Sequence, residues 1–183
     1  ATLFLGIEYG IFAGVGMSII ILIFRTSKPY IAVLGAVPDS DFYKNSERFK
    51  NVIIEEDVLV FRFDAQLFFA NASYFRDNLD DLAEKKGEAL KLIVIDSESI
   101  NRIDSTGVEM LIERINYYKK KGITVYFAGF KGPVRDTLFR AGILNSIDIN
   151  HFFMNIFTAV KYYKTGDRDH QIKYAEYIHH TYK

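Results

Sequence analysis

Two hydroxyls and a carboxylate stand side by side in the run Asp104-Ser105-Thr106-Gly107. The run falls between a buried-strand pattern and a helix pattern, so its backbone opens the helix. The first N–H groups of a helix have no partner inside it, and they lie at the positive end of the helix dipole. Hydroxyls placed there suit an anion, or a hydroxyl that becomes a phosphate. Thr106 followed three residues later by Glu109 reads as a capping box, in which the hydroxyl takes an N–H and the carboxylate reaches back. Gly107 lets the backbone come close to whatever sits above the helix start. Arg102 is the nearest cation. Asp96, Glu98 and Asp104 gather near the strand end, where α/β folds bind ligands. Paired carboxylates could do acid–base work, and loop solvation accounts for them as well.

Other chemistries are poorly supported. The 183 residues include no cysteine, which removes disulfides, thiolate catalysis and cysteine-based zinc sites together. Of the four histidines, His170, His179 and His180 lie in a polar tail and His151 stands apart. None forms an H-x-x-x-H pair, and no metal or cofactor is expected. No phosphate-binding glycine loop, dinucleotide fingerprint, nucleophile elbow or H-E-x-x-H is present, so no catalytic residue is assigned and an enzyme is not expected. Formal net charge is zero, and no basic stripe with interleaved aromatics appears, which argues against a nucleic-acid partner.

The elements that must position the run are legible from periodicity. Leu92 to Ile95 is apolar on both faces, as a central parallel strand is. After Gly107, apolar residues at Val108, Leu111, Ile112, Ile115 and Tyr118 make one helix face that closes at Lys119-Lys120-Lys121-Gly122. Upstream, residues 31–37 and 58–63 read as strands, the second continued by Phe68-Phe69. Residues 39–51 read as a polar loop with a helical turn near Ser46. Asn71 is expected to cap a helix ending at Lys86 before Gly87. Downstream, residues 123–128 make a strand and a helix opens at Lys131-Gly132-Pro133. Residues 147–149 offer a short last strand, and Asn155 caps a final amphipathic helix. The order fits an α/β fold with a mostly parallel sheet of about four or five strands and surrounding helices.

The chain opens on apolar sequence. Residues 3–24, from Leu3 through Phe24, hold one charge, Glu8. At about 1.5 Å per residue the run matches a hydrocarbon core of about 30 Å. Glycines at 6, 10 and 14 give small faces for another helix. Arg25 and Lys28 follow it, which places its end on the cytoplasmic side. Glu8 is either a functional charge within the membrane or a solvated group near the outer interface. Pro29 ends the helix. A single such helix suggests a fragment of a larger bundle, and a chain that opens on Ala1 rather than Met fits something longer.

Asp104-Ser105-Thr106-Gly107 after a buried strand resembles the signature loop of STAS domains. Leu67-Phe68-Phe69-Ala70-Asn71-Ala72-Ser73-Tyr74-Phe75 resembles the permease version, as does the apolar segment entering Arg25-Thr26-Ser27-Lys28-Pro29 and then Leu34-Gly35. The resemblance is to the last transmembrane helix (residues 1–28) and cytoplasmic STAS domain (29–163) of a SulP-family anion permease, with a polar tail at 164–183. It implies a dimeric transporter of sulfate or related anions in the inner (plasma) membrane, the domain facing the cytoplasm. Partners would be the remaining membrane helices, a second copy, the bilayer along residues 3–24 and a cytoplasmic regulatory protein. In soluble relatives a kinase phosphorylates a serine of the loop. The match falls on Thr106, with Ser105 beside it. The exposed face of the same helix, with Glu109, Glu113 and Arg114, is the expected partner surface. The other reading is a soluble phospho-switch that binds an anti-sigma factor, for which the apolar run has no use.

Overall fold

The computed structural model describes residues 7–166, apart from the side chains of Ile7, Glu8 and Arg25. Helix α1 covers Ile7–Ser27. Strands β1 (Ile31–Ala36), β2 (Tyr43–Asn45) and β3 (Val58–Phe63) follow. Helix α2 (Ala72–Lys86), β4 (Leu92–Asp96), α3 (Ser105–Lys120), β5 (Thr124–Ala128), α4 (Gly132–Arg140), β6 (Phe152–Phe153) and α5 (Ile156–Thr165) complete the order.

The strands form one six-stranded sheet in the order β2-β1-β3-β4-β5-β6. From β3 to β6 all pairings are parallel, with Val60 beside Val94 and Val94 beside Tyr126. Strand β1 runs antiparallel to both β2 and β3. Every residue of β4 is buried, as its continuous apolar run requires. One sheet face carries Phe61, Phe63, Ile93, Ile95 and Phe127 against Phe75 and Leu79 of α2, Leu111 and Ile115 of α3, and Leu138 of α4. The opposite face carries Leu34, Val60, Val94 and Tyr126 with Ala159 and Val160 of α5. Phe75 anchors α2 by meeting Phe61 and Phe63 edge to face, ring centres 4.9 and 5.0 Å apart. Asp80 ties α2 to α3, accepting from the Tyr118 hydroxyl at 2.6 Å and pairing with Arg114 at 2.7 Å.

Several expectations are corrected. The sheet has six strands rather than four or five, because residues 39–51 hold β2 on the outer edge of β1. Three paired residues are too few to show a period-2 pattern. The last strand is Phe152–Phe153; Ile147 instead packs into the core and Ile149–His151 forms one 3-10 turn. Phe68-Phe69 does not extend β3. After Asp64 the chain turns, and only Leu67 makes a bridge, to Ile103. The helix ends fall where caps and glycines place them: Gly87 has φ 65°, and Asn155 accepts from the Thr158 N–H at 2.9 Å.

The apolar helix differs from expectation in extent. Leu3, Phe4 and Leu5 lie outside the described residues, as does the side chain of Glu8. Among the described residues no helix is long and apolar enough to cross a membrane. What is described is twenty-one residues of helix with Ile11, Phe12, Val15, Leu22 and Phe24 all exposed, so no face of it is covered by the domain. The tail histidines His170, His179 and His180 also lie outside the described residues.

Replacing Phe75 with Ala should remove about 3–5 kcal/mol of stability, since two ring contacts and the packing of α2 go together. Urea unfolding followed by circular dichroism measures it. A loss under 1 kcal/mol, on the order of a surface change, would contradict this account of the core.

Candidate functional site

Topology brings the site to one end of the sheet. The parallel strands β3 and β4 both finish there, so the loops 64–71 and 97–104 lie side by side. They are joined like a short parallel ladder: the Leu67 N–H donates to the Arg102 carbonyl at 3.0 Å, and the Asp104 N–H to the Leu67 carbonyl at 3.2 Å. Antiparallel β1 starts at the same end, its Ile31 opposite Phe63. The end of α1 therefore arrives at these loops too.

Asp104 is the N-cap of α3. One carboxylate oxygen accepts from the Gly107 N–H at 2.8 Å and the other from the Phe69 N–H at 2.9 Å. The expected capping box through Thr106 is corrected: the helix begins at Ser105, which puts Thr106 inside its first turn with an exposed side chain. The aspartate one step earlier takes the capping position, and its second oxygen is left to reach the other loop. Gly107 is buried by that loop. A Cβ on it would lie 2.9 Å from Ile103 Cγ1, closer than real Cβ atoms approach, and 3.0 Å from the Leu67 carbonyl oxygen, tighter than most.

Asn71 stands at the N-cap position expected of it, but its side chain does another job. It precedes α2 without capping it by its side chain, and it is fully buried. Its Oδ1 accepts from the Phe68 N–H at 3.0 Å, while its Nδ2 donates to the Gln66 carbonyl at 2.9 Å and to the Thr26 carbonyl of α1 at 3.4 Å. An amide inside the otherwise apolar run 67–72 was the signal available, since a buried polar side chain must find partners.

The remaining candidates separate. Ser105 and Thr106 are exposed at the start of α3, and Arg102 is exposed with no ion pair among the described residues. Glu109 and Glu113 are exposed on α3. Arg114 is turned inward between Asp80 and Glu113, both at 2.7 Å, and its guanidinium lies over the Tyr117 ring at 4.6 Å. The three carboxylates near the strand end take different places. Asp104 holds backbone, and Glu98 is exposed. Asp96 is buried on the α5 face, beside Arg62 in the sheet register, with the Glu98 N–H 3.2 Å away. Burial pushes the Asp96 carboxyl above its ordinary value, Glu98 and Asp64 adding to the rise and the Glu98 N–H and Arg62 opposing it. Among the described residues no group of acids and histidines could hold a metal ion. His151 packs against Tyr126, ring centres 4.9 Å apart, and its desolvation lowers its pKa.

The family model described as "STAS domain" matches residues 49–160. The chain belongs to the STAS domain family. This STAS chain is 34% identical to the probable sulfate transporter 4.2 of Arabidopsis thaliana, over 87% of this chain and 25% of that protein. It is 32% identical to a probable sulfate transporter of Mycobacterium tuberculosis, over 90% of this chain and 29% of that protein. In fold it resembles the murine Solute Carrier 26 family member A9 anion transporter in its inward-facing state. There the TM-score is 0.80 with 24% identity, covering 89% of this chain and 27% of that one. The STAS chain thus spans about a quarter of the curated relatives it matches.

Two outcomes test this STAS site. Asp104→Ala should cost about 1–2 kcal/mol or more, because a cap and a loop tie are lost together, whereas Thr106→Ala should stay within about 0.5 kcal/mol. The reverse order in urea unfolding would restore the capping box. For Asp96, the folded state holds its proton to higher pH than the unfolded chain does. Its contribution is full below the ordinary aspartate value of 3.8 and is lost as pH rises through the folded-state pKa. Asp96→Asn should therefore be more stable than the parent at neutral pH, and the gain should vanish at acid pH; equal stability at both would contradict the burial argument.

Proposed function

We propose that the chain is the regulatory and assembly domain of a secondary anion transporter of the sulfate type, together with the end of its last membrane helix. The observation that carries this reading is the Thr26–Asn71 hydrogen bond. At 3.4 Å it is a long bond that joins the end of α1 to the loop 64–71, and only residues 28–30 separate α1 from β1. A helix held this way moves with the domain, which is what a regulator of membrane segments needs. Matching relatives named as sulfate transporters support the class.

In this reading residues 1–28 lie in the inner (plasma) membrane, with residues 3–24 against lipid and neighbouring helices and Glu8 near or within the membrane. Residues 29–163 face the cytoplasm, with 164–183 as a tail. Exposed apolar side chains all around α1 support such cover, since a soluble surface rarely leaves so many uncovered. The partners are the rest of the membrane domain and a second copy of the chain. A cytoplasmic regulatory protein would meet the exposed Glu109 and Glu113, while Arg114 stays engaged with Asp80. Thr106, with Ser105 beside it, is the proposed phosphorylation or anion site at the start of α3, and Arg102 its nearest exposed cation. A soluble anti-sigma-factor-antagonist-like switch is the weaker reading, because it gives α1 no role.

Sulfate uptake by the whole transporter is the measurement. Asn71→Ala should lower it about fivefold or more, the scale of an ordinary allosteric coupling, with the amount in the membrane unchanged. Unchanged uptake would remove the coupling, and with it the main support for the regulatory reading.

A further inference from the structure

One exposed aromatic has no role in the site as described. Phe69 is 63% exposed, although its own N–H is bonded to Asp104 and its ring meets Phe68 edge to face at 5.4 Å. A ring held this firmly in solvent is already arranged for a contact, so binding would order little more of it. It stands on the end of the domain where α1 enters, two residues from the Asn71 that holds Thr26. The loops 64–71 and 97–104 carry Asp64, which pairs with Arg62, and the exposed Glu98. In the segments 66–73 and 99–106 the only charged side chains are Arg102 and Asp104. Asp104 is occupied by two backbone N–H groups, and Arg102 is exposed, its carbonyl bonded to the Leu67 N–H. Lys28, exposed, follows α1 directly, and Lys131, also exposed, bonds Asn101 of the neighbouring loop.

We propose that this end of the domain docks on the membrane surface. Phe69 inserts at the headgroup boundary, and Arg102 and Lys28 meet anionic phospholipid headgroups. The proposal rests on the reading that α1 lies in the membrane and adds the surface that the domain presents to it. Continuity with α1 supplies the direction: a loop bonded to the last turn of a membrane helix sits at headgroup depth. The charge pattern supplies the ligand, because cations flanking an aromatic favour anionic lipid, each basic side chain contributing about 1 kcal/mol near such a surface. Of the carboxylates in loops 64–71 and 97–104, Asp64 pairs with Arg62 and Asp104 holds two backbone N–H groups, which leaves the exposed Glu98 against the exposed Arg102 and Lys28.

The chain contains no tryptophan, so one substitution makes a single fluorescent reporter. The full chain is reconstituted into phosphatidylcholine vesicles with and without phosphatidylserine, as Phe69→Trp and, separately, as Phe12→Trp in α1. Emission from Phe69→Trp should shift to the blue and be quenched by lipids brominated near the headgroup, more strongly when phosphatidylserine is present. Adding Arg102→Gln should reduce the docked fraction relative to the undocked about fivefold. Quenching of Phe12→Trp without quenching of Phe69→Trp overturns this proposal and leaves the membrane reading of α1 intact. A blue shift of Phe69→Trp that brominated lipid does not quench means the face meets protein, which also overturns it. If neither reporter is quenched, the membrane reading fails and the docking proposal with it.

Discussion

A single carboxylate that accepts backbone N–H groups from two different loops, Gly107 at 2.8 Å and Phe69 at 2.9 Å, fixes the end of the domain on which everything else is built. One bond is the cap of α3; the other belongs to a residue thirty-five positions away in sequence. The arrangement fits as it stands because Gly107 has no Cβ. With one, Ile103 and the Leu67 carbonyl would have to give way, the latter by a few tenths of an ångström from where its bond with the Asp104 N–H places it. Charge-assisted bonds of this kind are the stronger ones, and each otherwise leaves an N–H at a helix start or loop without a partner.

Sheet topology turns that local joint into a junction. Four strands run parallel, so their connecting loops leave from one end. The antiparallel β1 is the exception, and by reversing direction it delivers α1 to that same end. Asn71 then closes the circuit. Its amide is fully buried and bonded to three backbone groups, one of them in α1. The path from Thr26 through Asn71, Phe68 and Phe69 to Asp104 runs through backbone and short side chains alone. Such a path transmits displacement better than long flexible side chains would, because few torsions can absorb it.

What was readable in the sequence follows from where periodicity is strong. Residues 92–95, the α3 stripe from Val108 to Tyr118 and the glycine and lysine stops stand in the structure where the pattern puts them, since each is a run long enough to repeat. Strands β2 and β6, three and two residues long, could not show a period and owe their existence to pairing with neighbours. At the site, residue types were legible and roles were not. The right run was identified, but the cap belongs to Asp104 rather than Thr106, because the helix starts two residues earlier than the hydroxyl pattern suggests. Asn71 read as a cap for the same reason that it is valuable: an amide near a helix start has several backbone groups in reach, and tertiary structure decides which it takes. Arg114 looked like surface by spacing, and only the placement of Asp80 on α2 turns it inward.

The energetic scale of the joint bears on what a modification at α3 could accomplish. A phosphate on Thr106 would bring about −1.5 to −2 charges to a helix N-terminus, where a charge gains about 0.3–1 kcal/mol from the dipole. It would also stand within the first turn that Asp104 caps, and near Glu109. Repulsion from those carboxylates opposes the dipole, and the readiest relief is for Asp104 to give up its bonds. The N-cap is worth about 1–2 kcal/mol, so the modification and the joint act on the same scale. Neither would dominate, and an equilibrium between closed and released loops would shift by roughly five- to thirtyfold rather than completely. A shift of that size falls on Phe69 first, since its N–H is what Asp104 would release, and on Asn71 next. A graded bias on the seat of α1, rather than a lock, is the kind of control that this geometry is suited to exert.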